Sequence, residues 1–199
     1  DEILIPSFSF VSTANSVLFV NSIPKFVDIE EETFGIDPDK ISENVSSKSK
    51  AIIPMDYGGI SCKIMDIQEQ AKDNNLILIE DAAESLGSSI NNKKLGGISD
   101  STIFSFCGNK VLTTGEGGAV VTNSKEVYEK IKLIRSHGRI DTKDYFSNPS
   151  ESSYVGLGYN WRMSSITAAL GISQLQKLDK IIRMRKENAK YIIDNLQKI

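Results

Sequence analysis

Three residues that could carry chemistry follow one another along the middle of the chain. Asp81 follows Glu80 at the end of an apolar run, Ser105 lies in a Phe-Ser-Phe pattern, and Lys110 follows five residues later. A lysine amine bonds reversibly to a carbonyl carbon and can then move a proton. Each residue also has an ordinary interpretation, because Asp81 could cap a helix, Ser105 could be a plain strand serine, and most lysines are solvated. Their combination therefore carries more information than any one of them.

Further candidates lie on both sides of these three. Phe10 follows the first predicted strand, Glu84 comes three residues after the aspartate, and residues 115–118 read Gly-Glu-Gly-Gly. Phenylalanine is more often a core residue than a binding platform, and the glycine run by itself predicts a turn that leads into a strand. Near the C-terminal third, Asn160 and Arg162 lie together in the run Gly-Tyr-Asn-Trp-Arg-Met.

The elements that must position these residues alternate between strands and helices. This alternation predicts an α/β fold with a mainly parallel, mixed sheet flanked by helices. Ligands bind beyond the carboxyl ends of the strands in such sheets. The predicted strands are 3–5, 25–29, 51–54, 76–79, 102–106 and 119–122, with a hairpin turn at 91–92. The predicted helices are 11–20, a short one starting at Pro38, 64–71, one capped by Asn123, and 164–196, with a polar loop over 140–159.

The composition argues against several other classes of protein. A net charge of −3 over 199 residues provides no general attraction to nucleic acid or to an anionic membrane. No apolar run approaches the roughly 20 residues that span a bilayer. The two cysteines, Cys62 and Cys107, lie far apart, which predicts a reduced, cytoplasmic protein. The single histidine, His137, argues against a histidine-based metal site, and no Gly-x-Gly-x-x-Gly motif supports a dinucleotide-binding dehydrogenase.

Taken in order, five motifs resemble those of the DegT/StrS-type sugar aminotransferases, which are pyridoxal 5′-phosphate (PLP) enzymes of fold type I. The motifs are Pro6–Phe10, Ile79–Glu84, Phe104–Phe106 with Lys110, Thr113–Gly118 and Gly158–Met163. The resemblance runs from Asp1 to about Lys190, nearly the whole chain. It implies the large PLP-binding domain for residues 1–163, and for residues 164–199 a long helix that leads toward a small C-terminal domain.

The positions of the two chain ends lead to an expectation about the extent of the domain. The sequence begins at Asp1 just before a strand and ends inside a predicted helix, and members of the resembled family are nearly twice as long. We therefore expect a large domain that is truncated at both ends. We also expect it to lack the phosphate-binding turn that the family carries before the position of Asp1. Residues 55–59, Met-Asp-Tyr-Gly-Gly, stand where many relatives have a histidine and a tyrosine, so we expect different substrate contacts there.

The resemblance implies a role for each residue around the cofactor ring. Lys110 would be the catalytic lysine that binds the cofactor covalently and shuttles protons. Asp81 would face the pyridine nitrogen and keep it protonated, so that the ring withdraws electrons. Phe10 would stack on the ring face through its flat apolar surface, and Glu84 would lie near the ring and its 3-hydroxyl.

The resemblance also implies how the cofactor phosphate is held. Ser105 would donate its hydroxyl, and Asn160 of a neighbouring subunit would reach the same phosphate. Arg162 would bind a phosphate or stabilise the subunit interface. This arrangement implies a homodimer with shared active sites. His137 is assigned no chemistry.

The implied function is an aminotransferase that passes an amino group, from glutamate in most of the family, to a keto-sugar nucleotide for amino-sugar and cell-surface polysaccharide synthesis. One alternative is a PLP-dependent sugar dehydratase, but that branch replaces the lysine with histidine, so Lys110 argues against it. Another is a non-catalytic relative that acts as a regulator or assembly partner. The residues leave the sugar and the aminated carbon open.

Overall fold

A computed structural model describes residues 1–140 and 153–196 of the chain. Within them, six strands form one sheet and two short strands form a separate hairpin. The sheet contains β1 (Glu2–Pro6), β2 (Ile23–Val27), β3 (Ser49–Ile52), β4 (Ile77–Asp81), β7 (Ser101–Ser105) and β8 (Gly118–Val121), and the hairpin contains β5 (Ser89–Ile90) and β6 (Lys93–Lys94).

The sheet is mixed and mainly parallel, which confirms the predicted fold class. Its strand order is β2-β1-β3-β4-β7-β8. The first five of these strands are parallel, and β8 pairs antiparallel with β7. Parallel neighbours need crossover connections. The helices are α1 (Val11–Phe19), α2 (Ile41–Asn44), α3 (Ile64–Asp73), α4 (Lys125–Ile134), α5 (Ser165–Leu175) and α6 (Leu178–Leu196), with 3₁₀ turns at Pro38–Lys40 and Tyr57–Gly59.

The sheet buries apolar side chains in two separate clusters. Leu4 of β1 belongs to the larger cluster, where it joins Ile52 of β3 and Ile67 of α3. The next residue, Ile5, belongs to the other cluster, which includes Val17 of α1. Successive strand residues point to opposite faces, so this alternation means that β1 is covered on both sides. Such burial explains the continuous apolar runs of the parallel strands.

Two predicted helix boundaries were wrong. The cap of α4 is Ser124, whose hydroxyl accepts the Val127 N–H at 3.3 Å, and not Asn123. Both residue types cap helices well, so the pattern alone does not separate neighbouring candidates. The predicted helix 164–196 is divided between Leu175 and Leu178. There the Lys177 N–H donates to the carbonyl three residues back, at 3.0 Å, which tightens the last turn of α5.

The parallel strands bring several loops to one edge of the sheet. Residues 7–10 follow β1, residues 56–59 follow β3, residues 82–84 follow β4 and residues 106–110 follow β7. The predicted loop 140–159 lies partly outside the described residues, since 141–152 are not among them. Across residues 1–140 and 153–196, no helix is both long enough and apolar enough to cross a membrane.

Candidate active site

Lys110 and Glu84 form an ion pair beside the carboxyl edge of the sheet. The Lys110 Nζ lies 3.2 Å from Glu84 Oε1, and the lysine side chain is 19% exposed. The backbone N–H of Lys110 donates to the Cys107 carbonyl at 3.1 Å, and this bond forms a turn after β7. Strands β4 and β7 are parallel neighbours, so their carboxyl ends bring these two predicted site residues together.

The second oxygen of Glu84 faces the loop after β3. It accepts a hydrogen bond from the Gly58 N–H at 2.9 Å. Gly58 has a φ of +62°, a conformation that glycine adopts without steric cost. The carboxylate of Glu84 therefore joins Lys110 to the segment 55–59, which the sequence analysis singled out for its unusual residues.

Asp81 is the last residue of β4, and two neutral donors hold its carboxylate. Oδ2 accepts from the Thr13 hydroxyl at 2.9 Å and Oδ1 accepts from the Ala83 N–H at 3.2 Å. Burial raises the pKa of Asp81 above its usual value, while these two hydrogen bonds and the positive charge of Lys110 lower it in part. Asp81 thus lies within electrostatic reach of Lys110 without bonding to it directly.

Thr13 was missed by the sequence analysis. It is buried on α1, and its hydroxyl also lies 2.8 Å from the Ser9 hydroxyl. Ser9 in turn donates to the Met55 sulfur at 3.3 Å. The available signal was the position of Thr13 three residues after Phe10, on the first turn of a helix that begins at the carboxyl edge.

Phe10, in the loop after β1, and Ser105, at the end of β7, both have groups available to a ligand. Phe10 precedes α1, and its side chain is 69% exposed. The Ser105 Oγ accepts the Cys107 N–H at 3.3 Å. A hydroxyl that accepts one bond can still donate its proton to another group.

The segment 113–118 runs back along the loop that carries the lysine. The Phe106 N–H donates to the Gly117 carbonyl at 2.8 Å. Gly117 has a φ of +152°, and a Cβ at this position would lie 2.6 Å from the Thr114 Oγ1. The glycine run therefore lets two backbone segments approach closely.

The motifs and the site geometry agree with one family of proteins. The model of the DegT/DnrJ/EryC1/StrS aminotransferase family matches residues 1–199. The chain belongs to this family. The resemblance drawn from the five motifs is thereby confirmed.

Relatives of this DegT-family chain include sugar-modifying proteins. It is 37% identical over 186 residues to the GDP-perosamine synthase of Caulobacter vibrioides, a match that covers 94% of the chain and 48% of that protein. The chain spans about half the length of the curated relatives it matches.

Solved structures share the fold. Helicobacter pylori PseC, an aminotransferase involved in the biosynthesis of pseudoaminic acid, matches with a TM-score of 0.87 and 37% identity, over 94% of this chain and 48% of that one. The E. coli GDP-4-keto-6-deoxy-D-mannose-3-dehydratase with bound hydrated PLP matches with a TM-score of 0.87 and 32% identity, over 99% of this chain and 53% of that one.

Asn160 and Arg162 of the DegT-family chain bond to each other and to the end of α4. One Arg162 nitrogen donates to Asn160 Oδ1 at 3.1 Å and another donates to the Ser136 hydroxyl at 2.9 Å. The neighbouring His137 has a φ of +62°, and its N–H donates to the Tyr159 carbonyl at 2.8 Å. These bonds link Asn160 and Arg162 to the residues around His137 and not to Lys110.

Two buried carboxyl groups lie beneath the site, and the sequence analysis assigned them no role. Asp56 and Glu80 are both fully buried. Asp56 accepts from the Cys62 N–H and from the Ser85 hydroxyl, each at 2.9 Å. The pKa of Asp56 is raised to about 7, because burial and the negative charge of Glu80 together outweigh the opposing hydrogen bonds from the Cys62 N–H and the Ser85 hydroxyl. Glu80 accepts from Thr102 at 2.7 Å, while its Oε1 has no hydrogen-bond partner within the described structure.

A cavity of about 510 Å³ opens beside Glu84, between the loops at the sheet edge and helix α6. Its walls include Gly58 and Val111 on the sheet side, and Arg185 and Lys186 on α6. The cavity therefore combines backbone groups of the site with two cationic side chains.

Proposed function

We propose that the protein is a PLP-dependent aminotransferase that transfers an amino group from glutamate to a keto-sugar nucleotide. The observation that carries this proposal is the half-buried Lys110 amine, held 3.2 Å from Glu84 and within electrostatic reach of Asp81. Family membership supports the reaction class. The names of relatives support a nucleotide-linked sugar and a role in amino-sugar synthesis, and one relative is named as a spore coat polysaccharide biosynthesis protein, which supports a role in polysaccharide synthesis.

The residues present fit the cofactor. The Asp81 carboxylate accepts bonds from neutral donors, and burial raises its pKa. A protonated pyridine nitrogen would supply the positive charge that this carboxylate lacks. The exposed ring of Phe10 would cover one face of the cofactor, and the Ser105 hydroxyl would donate to its phosphate. The dehydratase neighbour was solved with bound hydrated PLP, which supports this choice of cofactor.

The chain's own groups would do the following. Lys110 would bind the cofactor covalently, and, once the amino donor has displaced its amine, that amine would move a proton to and from the substrate carbon that bears the amino group. Glu84 holds that amine at the edge of the sheet. Asp81 would keep a proton on the ring nitrogen. When bound, the cofactor supplies an electron-withdrawing ring.

The substrate and the partner subunit complete the proposal. The cavity beside Glu84 offers room for a sugar nucleotide, with Arg185 and Lys186 available to its phosphates.

Asn160 of a second copy would reach the cofactor phosphate. An Arg162 nitrogen lies 3.1 Å from Asn160 Oδ1 and would orient that amide. The assembly would then be a homodimer with shared sites. Both cysteines are free thiols, which supports placing the reaction in the reducing cytoplasm.

A panel of 3-keto and 4-keto sugar nucleotides tests the reaction. The purified protein is incubated with PLP, glutamate and each sugar, and products are identified by mass. We expect 2-oxoglutarate and an amino sugar in equal amounts. Loss of water from the sugar without gain of nitrogen would establish the dehydratase alternative. Failure of PLP to produce a visible absorbance band would support a non-catalytic relative.

Thr13 offers a test of how Asp81 is held. In Thr13→Val the buried carboxylate loses the hydroxyl bond that lowers its pKa, so the pKa of Asp81 rises further and its charged form is less favoured. A hydrogen bond to a charged group contributes about 1.5–3 kcal/mol, so we expect PLP affinity to fall about tenfold or more. Absorbance titration with PLP measures this. Thr13→Ser keeps the hydroxyl and should bind like the wild type; equal losses in both variants would contradict the proposed role.

A further inference from the structure

Asp56 connects two turns that carry parts of the candidate site. Its Oδ1 accepts the Cys62 N–H and its Oδ2 lies 2.9 Å from the Ser85 Oγ. The first contact closes the loop that contains Gly58. The second fixes the turn in which the Ser85 N–H donates to the Ala82 carbonyl at 3.0 Å, and which contains Glu84.

The two turns also touch each other at the edge of the site. The Gly58 N–H binds Glu84 Oε2 at 2.9 Å, and the Ser88 hydroxyl donates to the Gly59 carbonyl at 2.8 Å. The other oxygen of Glu84 binds the Lys110 amine. A side chain that ties the two turns together from below therefore determines where Glu84, and with it the lysine amine, can lie.

The surroundings of Asp56 favour a proton on its carboxyl group. Asp56 and Glu80 are both fully buried, and two negative charges in one low-dielectric region repel strongly. The Cys62 thiol also faces Asp56, and burial raises the pKa of that thiol, so the thiol stays neutral and provides no charge that would stabilise an ionised Asp56. Oδ1 already accepts an N–H, which leaves Oδ2 as the protonated atom. The Ser85 hydroxyl can then turn to the Ala82 carbonyl, 3.4 Å away.

We propose that Asp56, in its protonated form, is a positioning residue that fixes Glu84 beside Lys110. It does not contact the cofactor or the substrate in this role. The inference rests on the proposed attachment of PLP to Lys110. Asparagine is the side chain that most closely mimics a protonated Asp56. Its oxygen can accept the Cys62 N–H, and its amide nitrogen can donate to Ser85.

The test compares four variants in the purified protein titrated with PLP. Asp56→Ala and Ser85→Ala each remove one partner of the hydrogen bond between Asp56 and Ser85. Asp56→Asn preserves it, and Ser99→Ala is the matched control, because Ser99 is also buried but donates to Glu80. A lost hydrogen bond corresponds to about a five- to tenfold change. We expect PLP affinity to fall by this factor, and the pH midpoint of the visible band to shift, in Asp56→Ala and Ser85→Ala. We expect less than about twofold change in Asp56→Asn and Ser99→Ala.

Two results would overturn the proposal. One is wild-type affinity and midpoint in Ser85→Ala, which decides the question even if Asp56→Ala does not fold. The other is an equal loss in Asp56→Asn and Asp56→Ala, which would mean that the anion is required. If the wild type shows no band at all, the proposed function fails, and the proton on Asp56 is judged by the next measurement.

Unfolding of the cofactor-free protein tests the proton alone. A carboxyl whose pKa is raised on folding contributes stability that is present below its ordinary value and is lost as the pH rises through the folded value of about 7. Between pH 4 and 7, the unfolding equilibrium constant of the wild type should therefore rise, by up to about tenfold per pH unit, relative to Asp56→Asn. Parallel pH profiles would show that Asp56 is ionised.

Discussion

Replacing Lys110 with alanine is expected to abolish covalent attachment of PLP and to lower the transamination rate by about 10³-fold or more. The reason is that Lys110 supplies both the amine that binds the cofactor and the group that moves the proton. The measurement is borohydride reduction of the PLP-treated protein, followed by peptide mapping by mass. The wild type should be labelled at Lys110 and the variant should not.

Lys110→Arg is the matched control for charge. Arginine keeps a cation opposite Glu84, whose carboxylate lies 3.2 Å from the lysine amine, but it lacks a primary amine. We expect this variant to retain the stability of the wild type and to lose labelling as fully as the alanine variant. Labelling of a different lysine in the wild-type protein would refute the assignment.

The second large effect is expected at Asp81. Asp81→Asn keeps the size of the side chain but removes the negative charge that would face the ring nitrogen. Removing one partner of a buried charge pair costs about 3–5 kcal/mol, so we expect the rate to fall about 10²- to 10³-fold and PLP to bind more weakly. Steady-state kinetics and absorbance titration measure the two effects separately.

Asp66→Asn controls for the same chemical change at an exposed position on α3. It should leave both the rate and PLP binding unchanged. If Asp81→Asn retains PLP affinity and rate while its labelling at Lys110 is normal, then the carboxylate does not face the ring nitrogen. The role of Lys110 would be unaffected by that outcome.

Local patterns were sufficient to predict the sheet and the approximate positions of its strands. Runs of apolar residues separated by polar turns identify strands buried on both faces, because such burial leaves no polar side to the strand. The second strand nevertheless lies at Ile23–Val27 and not at 25–29. The division between α5 and α6 contains neither glycine nor proline, so the usual signals of a helix end are absent there.

The sequence by itself determined the family, because the order of the five motifs along the chain is specific. The resemblance also implied that Lys110, Glu84 and Asp81 lie around one cofactor ring, at the edge of the sheet where ligands of such folds bind. Glu84 and Lys110 do meet, at 3.2 Å. The roles of Lys110, Glu84 and Asp81, like those of Phe10, Ser105, Asn160 and Arg162, remain predictions.

Only the tertiary structure decided what supports these residues. Thr13 reaches Asp81 across 68 positions of sequence, and Asp56 reaches Ser85 across 29. Such contacts depend on which strands become neighbours and on how each crossover helix packs, and neither is encoded in local spacing. The charge state of a buried carboxyl such as Asp56 depends on the same packing, because burial and nearby charges set its pKa.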